Sequence, residues 1–284
     1  MFYMENRMNM TKRMDNPDIE IEMLLEGMFM KYGFDFRSYA RTSVKRRIMH
    51  NLSKSGLKNI SELLHEILYD PTTFNNLLLD LSINFSEMFR DPDFYLTLRK
   101  KVVPILKTFP FIKIWNAGCS SGEEVYSTAI LLQEEGLYDK CQIYATDFND
   151  AVIQKAKEGI FAMDRIKEYT ANYQKAGGEK SFSDYYHAKY DFAAIDPALK
   201  KNIVFANHNL VTDSVFGEMN LIMCRNVLIY FNRDLQNHVF KLLRDSLVRS
   251  GFLCLGSKED LGFSNCKDDF EIFAPRERIY KKQA

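Results

Sequence analysis

Two adjacent carboxylates, Glu123 and Glu124, follow a turn of small residues, Gly118-Cys119-Ser120-Ser121-Gly122, within the segment IWNAGCSSGEEVYSTAILLQEE. The segment reads as a buried strand, a tight turn and a helix. A strand-turn-helix of this kind offers backbone N–H groups and a positive helix end to a ligand, which in dinucleotide folds is a pyrophosphate. Two carboxylates argue against phosphate here. Ser120 breaks the G-x-G-x-x-G spacing, and no Gly-Lys-Ser/Thr follows to make a phosphate loop. One glutamate suits the helix dipole and caps free N–H groups. The other is free to face an amine or a hydroxyl.

Other candidate residues fall at the ends of apolar runs. Asp147 closes CQIYATD, where a doubly wound fold places an acid on ribose hydroxyls; it also reads as a helix N-cap, in competition with Asn149 and Asp150. ANHNL, residues 206–210, ends a third run. CRNVLIYF, residues 224–231, ends a fourth, and Arg225 directly after a buried run needs a carboxylate or a ligand as partner. The five histidines are scattered without ligand spacing, and the five cysteines form no C-x-x-C pair, so neither a metal site nor a disulfide frame is expected.

The elements that must position these residues divide into two kinds. Between Ile19 and Arg99 apolar residues recur at helical spacing, in IEMLLEGMFMKYG, VKRRIMHNLSKSG, ISELLHEILYD and FNNLLLDLSINF. The expected organisation is a disordered N-terminus over 1–18, a helical domain over 19–99 and a linker over 100–110. From 111 to 284 strands alternate with helices, which predicts a mostly parallel, Rossmann-like α/β sheet ending in an antiparallel pair over FEIFAPRERIYKK. The aromatic-rich stretch about 160–201, containing SFSDYYHAKYDFAAID, predicts a small inserted β-subdomain.

The chain has 284 residues, 46% of them apolar, and 38 basic against 38 acidic side chains, so it carries no general attraction to nucleic acid or anionic membrane. No apolar run approaches the ~20 residues of a membrane span. A cytoplasmic, soluble, monomeric protein is expected.

Five blocks, NFSEMFRDPDFY (84–95), NAGCSSGEEVYS (116–127), IYATDFNDAVIQKAKEGIF (143–161), CRNVLIYF (224–231) and LGSKEDL (255–261), occur in an order that resembles the CheR-type methyltransferases. That family transfers a methyl group from S-adenosylmethionine to glutamate side chains of chemotaxis receptors, leaving S-adenosylhomocysteine. The resemblance implies that Asn84, Ser86 and Arg90 close over the cofactor, with Arg90 near the reacting end. It implies that Ala117, Gly118, Cys119 and Glu124 lie along the methionine and ribose part, that Asp147 holds the ribose, and that Asn209 and Leu210 flank the adenine. Arg225, Asn226 and Tyr230 would line the cavity where methyl and acceptor meet. Met88 and Val125 stand where the family often has an aromatic and a proline, and the inserted segment is longer than its β-subdomain usually is.

A glutamate acceptor needs no general base, because its pKa near 4.3 leaves it ionised at neutral pH. Competing readings are a methyltransferase acting on RNA or another protein, and a cofactor-binding sensor or scaffold with little turnover. A nicotinamide dehydrogenase fails on Ser120. Residues 36–61 contain Arg37, Arg41, Lys45, Arg46, Arg47, Lys54 and Lys58 and no acid. This basic face is expected to dock the acidic methylation helices of a receptor, unless it is only solvated.

Overall fold

The computed structural model describes residues 14–82 and 86–283. It divides into two compact units, one formed by 14–37 and 41–81, the other by 38–40 together with 82–283.

The first unit holds four helices: α1 (Asn16–Tyr32), α2 (Arg41–Ser55), α3 (Ile60–Tyr69) and α4 (Pro71–Leu81). The Asp15 carboxylate accepts from Asp18 N at 3.0 Å and starts α1, which ends at Gly33 in the left-handed region. Asn59 caps α3 in the same way, accepting from Glu62 N at 2.9 Å. Ile21, Leu24, Leu25, Met28, Val44, Ile48, Leu63, Ile67, Leu77 and Leu78 are buried and make the apolar centre of this unit. The expected disorder over 1–18 needs correction at its end, because 16–18 form the capped first turn of α1; residues 1–13 lie outside the described residues.

In the second unit α5 (Pro92–Thr97) continues through a π-helical stretch, Leu98–Val102, into α6 (Val103–Leu106). The expected linker over 100–110 is therefore helical as far as Leu106, and the boundary falls near 82 rather than 99. The reason is apolar spacing: Leu98, Val102, Val103 and Leu106 bury in the core beside the sheet. Arg99 is buried with them because Glu134 and Glu135 accept from its guanidinium at 2.6 and 3.0 Å.

The sheet follows from β1 (Ile112–Ala117), α7 (Glu123–Glu134), β2 (Cys141–Asp147), α8 (Asp150–Glu158), β3 (Ile160–Ala162), α9 (Met163–Lys175), β4 (Tyr186–Lys189), β5 (Phe192–Ile195), β6 (Ile203–Asn207), β7 (Met219–Cys224), α10 (Arg233–Asp245), β8 (Leu247–Leu255), β9 (Phe270–Ala274) and β10 (Ile279–Lys282). Its order is β6-β2-β1-β7-β8-β10-β9, parallel as far as β8 and antiparallel beyond. Strand alternation feeds two cores, Ile112 and Ile114 entering one and Trp115 and Ala117 the other. The inserted segment forms its own antiparallel sheet, β3-β5-β4, with α9 between β3 and β4. All five cysteines are buried and reduced. No helix among the described residues is long and apolar enough to cross a membrane.

Candidate active site

The parallel strands deliver their carboxyl ends to one edge, and the site is built there. Gly118 N and Cys119 N both donate to Thr146 O at 2.8 Å, so the turn after β1 folds over the end of β2. Gly118 takes φ 76, and a Cβ there would come within 2.6 Å of Val227 Cγ2, so this turn requires glycine. Ser120 follows at φ 50 and donates its N–H to Asp147 Oδ2 at 3.0 Å. Asp147 Oδ1 accepts from Asn149 N at 3.1 Å.

Asp147 is thus not the cap of α8. That role belongs to Asn149, which accepts from Ala151 N at 3.0 Å. Burial pushes the Asp147 carboxyl above the usual aspartate range, against the pull of the Ser120, Asn149 and Phe148 N–H groups. A carboxylate so fixed keeps lone pairs for further donors. Ser120 Oγ and, near the end of β1, Asn116 Oδ1 are buried with no hydrogen-bond partner. Asn209 and Leu210 come next to Asp147 through the pairing of β2 with β6, where Asp147 stands opposite Asn207. The Asn209 carboxamide accepts from Val211 N at 3.0 Å and so closes its own turn.

The two glutamates have different partners. Glu123 is buried; its carboxylate accepts from Ser121 Oγ at 2.7 Å and lies 3.6 Å from Arg165 Nη1, and burial raises its pKa. Arg165 Nη2 also donates to Ser86 O at 2.8 Å, so the inserted helix α9 reaches the segment that carries Ser86. Glu124 Oε2 accepts from Arg225 Nη1 at 2.8 Å, and Asp91 Oδ2 accepts from Arg225 Nη2 at 2.8 Å. The Arg225 guanidinium is 1% exposed, stands 4.0 Å above the Phe94 ring and lies 3.4 Å from the carbonyl of Arg90. Neither glutamate serves as a simple helix cap.

Arg225 was expected to face the acceptor. Two protein carboxylates occupy its terminal nitrogens instead, so it holds the start of α5 and the start of α7 to the end of β7. Beside it opens a cavity of about 410 Å³, lined by Asp91, Phe94, Thr97, Arg225, Leu255 and Glu277. This cavity lies at the ends of β7 and β8 and at the β9–β10 turn, on the far side of β1 from Asp147. Asn226 sits at φ 61 with its N–H on the Glu259 carboxylate, and Tyr230 is half-buried in the turn that follows. Asn84 lies outside the described residues.

Phe89, Asp91, Ser120 and Asn226 are non-glycine residues with positive φ. Such conformations cost on the order of 1–3 kcal/mol each and gather at functional sites. Asp91, Glu259, Asn116, Ser120 and Arg165 are the members that sequence reading did not assign. Asp91 and Glu259 stood within motifs already quoted, but their partners are distant in the chain.

The basic face also differs from its expectation. Arg37 pairs with Glu26 and Asp35 at 3.0 and 2.8 Å, Arg41 with Glu22 at 2.6 Å, and Lys45 with Asp18 at 2.7 Å. Arg47 donates to the Leu81 carbonyl at 2.9 Å. Arg46 is exposed. Acids of α1 therefore neutralise much of what reads as an unbroken positive run.

Around Arg225 two carboxylates meet one cation, Glu123 faces Arg165, and Asp147 adds a further carboxylate. An acidic site with orphaned hydrogen-bonding atoms and a glycine turn fits a cationic nucleoside and not a phosphate chain. S-adenosylmethionine, with its sulfonium, ammonium and ribose hydroxyls, meets that description.

Comparison with known proteins agrees with the geometry. Residues 84–278 match the CheR methyltransferase, SAM binding domain, and 19–82 match the CheR methyltransferase, all-alpha domain. The chain is 51% identical over 267 residues to a protein of Pseudomonas putida named as methyltransferase Cher3, covering 94% of this chain and 98% of that one. It is 31% identical over 249 residues to the chemotaxis protein methyltransferase of Listeria innocua, covering 86% of this chain and 92% of that one. A chemotaxis protein methyltransferase of Borreliella burgdorferi is 29% identical over 258 residues, with 85% and 88% covered. The protein belongs to the CheR methyltransferase family.

Proposed function

We propose that this S-adenosylmethionine-dependent methyltransferase esterifies glutamate side chains of chemoreceptors. The observation that carries the reading is the acidic strand-end site beside a separate cavity: Asp147, Glu123 and Glu124 on the side of the glycine turn, and the 410 Å³ space beyond Arg225. The first half suits a cationic donor, and the second is wide enough to admit a side chain. When bound, the cofactor supplies a methyl group on a sulfonium, which a carboxylate oxygen takes by in-line displacement to leave an ester and a thioether.

Asp147 receives the ribose hydroxyls, with Ser120 and Asn116 offering further polar contacts. Ala117, Gly118, Cys119 and Glu124 line the methionine part, and Asn209 and Leu210 flank the base. Ser86 and Asn84 close over the donor. Arg90 and Tyr230 orient the acceptor carboxylate, and Arg225 holds the walls that both ligands share. No residue has to remove a proton, because the acceptor is already ionised. A site that strips water from a carboxylate and a cation favours their neutralisation in the transfer step. Acceptor placement at about 3–3.5 Å supplies much of the remaining rate.

Receptor helices are proposed to dock on α2, with exposed Arg46 meeting their acidic residues. The test is transfer of labelled methyl from S-adenosylmethionine to receptor cytoplasmic fragments, RNA and a blank. Label on the receptor alone supports the reading; label on RNA, or none on any fragment, contradicts it.

A further inference from the structure

Glu259, on the loop after β8, has not been given a role by the cofactor or the acceptor. It is 4% exposed, and its carboxylate is filled by backbone donors. Oε1 accepts from Leu228 N at 2.7 Å and Ile229 N at 3.3 Å; Oε2 accepts from Asn226 N at 2.9 Å and Gly256 N at 2.6 Å. The chain leaves β7 through Asn226 in the left-handed region and turns at once into the 3-10 turn Leu228–Tyr230, so these N–H groups converge on one point. Convergent backbone N–H groups make an anion nest. Here the anion is a side chain of the same protein.

The fit is close. A Cβ on Gly256 would stand 2.7 Å from Asn226 N and 2.9 Å from Glu259 Oε2, so the end of β8 can approach the loop only as glycine. The loop held in this way carries Arg225, Asn226 and Tyr230. It also carries Val227, whose methyl group fills the space where a Gly118 side chain would stand. One buried carboxylate thus sets the loop against the cofactor turn on one side and the acceptor cavity on the other.

The geometry points to Glu259 as the positioning residue of methyl transfer: it is a built-in anion that fixes the 225–230 loop, and its nest, once emptied, accepts a free carboxylate of acetate size. The inference rests on the proposed role of that loop in transfer. It does not need Glu259 to touch either ligand.

Two substitutions in the full chain test it. Glu259→Gln keeps the volume but turns one terminus into a donor, so two of the N–H groups face an NH2 group. This variant is expected to fold, to bind S-adenosylhomocysteine within about threefold of wild type, and to turn over at least about tenfold more slowly. Amide hydrogen exchange at Asn226, Leu228, Ile229 and Gly256 should quicken. Glu259→Ala removes the heavy atoms that acetate contains. Acetate should restore its turnover severalfold, whereas chloride at equal ionic strength should not, and wild type should be indifferent to both.

Wild-type turnover in Glu259→Gln overturns the inference. So does a folded, slowed Glu259→Ala that ignores acetate, because a general loosening would behave in that way. Should Glu259→Ala fail to fold, the turnover, affinity and exchange of Glu259→Gln decide. A wild-type protein that methylates no receptor fragment counts against the glutamate reading instead, and the four amides still report on Glu259.

Discussion

Glu124 and Arg225, 101 positions apart, meet through a 2.8 Å hydrogen bond at the edge of the sheet, and Asp91 closes on the other side of the same guanidinium at 2.8 Å. Removing Arg225 leaves two carboxylates facing each other around a buried gap. Breaking a buried pair costs about 3–5 kcal/mol, and the lower figure applies because the Asp91 side chain is 40% exposed. Arg225→Ala should therefore lower chemical stability, cofactor affinity and turnover together. Arg225→Lys should not restore them, because an ammonium does not span two carboxylates as the planar fork does. Denaturant unfolding and calorimetry with S-adenosylhomocysteine check both. A variant of wild-type stability and affinity that has lost only turnover would return Arg225 to the acceptor.

Asp147→Ala should weaken S-adenosylhomocysteine binding by about tenfold or more with the fold intact, since hydrogen bonds to a charged group contribute about 1.5–3 kcal/mol. Burial holds this carboxyl above the usual range. Acidification should then reduce affinity at a higher pH than an exposed aspartate would give, and Asp147→Asn should remove that step. The corresponding contribution to stability has the opposite sense: it is present below the unfolded-state pKa and lost as pH rises through the raised one. Calorimetry across pH reads the first, and unfolding across pH the second.

The proposed orientation of the acceptor carboxylate by Arg90 and Tyr230 requires that Arg90→Ala and Tyr230→Phe reduce kcat more than they reduce S-adenosylhomocysteine affinity. Equal losses in both quantities would assign that side chain to the cofactor.

Arg99→Ala should destabilise the protein by about 3–5 kcal/mol. Its guanidinium is 8% exposed, and Glu134, its partner at 2.6 Å, is 1% exposed. Burial would raise the Glu134 pKa, but donors from Tyr173, Arg99 and Tyr185 bring it below the ordinary range. Thermal unfolding is the measurement.

On α2, Arg46→Ala should raise the KM for receptor fragments at low salt, and Arg41→Ala and Lys45→Ala should raise it less. The latter two cations already hold Glu22 and Asp18. Exposed charges act only within a Debye length, about 8 Å at physiological salt, so the Arg46 effect should vanish as salt rises. Equal effects at all three positions would argue for a face that exchanges its partners on docking.

What was legible beforehand depended on local pattern. β1 and β7 read as buried runs because both faces of a parallel strand are covered, whereas the Asp15 cap of α1 fell in a stretch read as disordered and Asn149 was one of three candidate caps for α8. Asp147 and Arg225 were visible as charges at the ends of such runs. What was not legible was pairing across the chain. Residues 100–110 looked like a linker and Arg99 like the end of the helical domain, because the carboxylates that let Arg99 bury are 35 and 36 positions away. The run after Arg37 looked like a bare patch because its acids sit on the preceding helix, as with Asp18, 27 positions before Lys45. Glu259 could not be distinguished from any other loop acid until its backbone partners were in place.

The most direct measurement is the fate of labelled methyl on a receptor fragment. The label should sit on glutamate side chains, identified by mass spectrometry of the digested fragment, and mild alkali should release it as methanol, since an ester hydrolyses where a methylamine does not. It should disappear with Arg90→Ala. Label that survives alkali, or a protein that binds S-adenosylhomocysteine yet labels no receptor glutamate, would contradict the assignment.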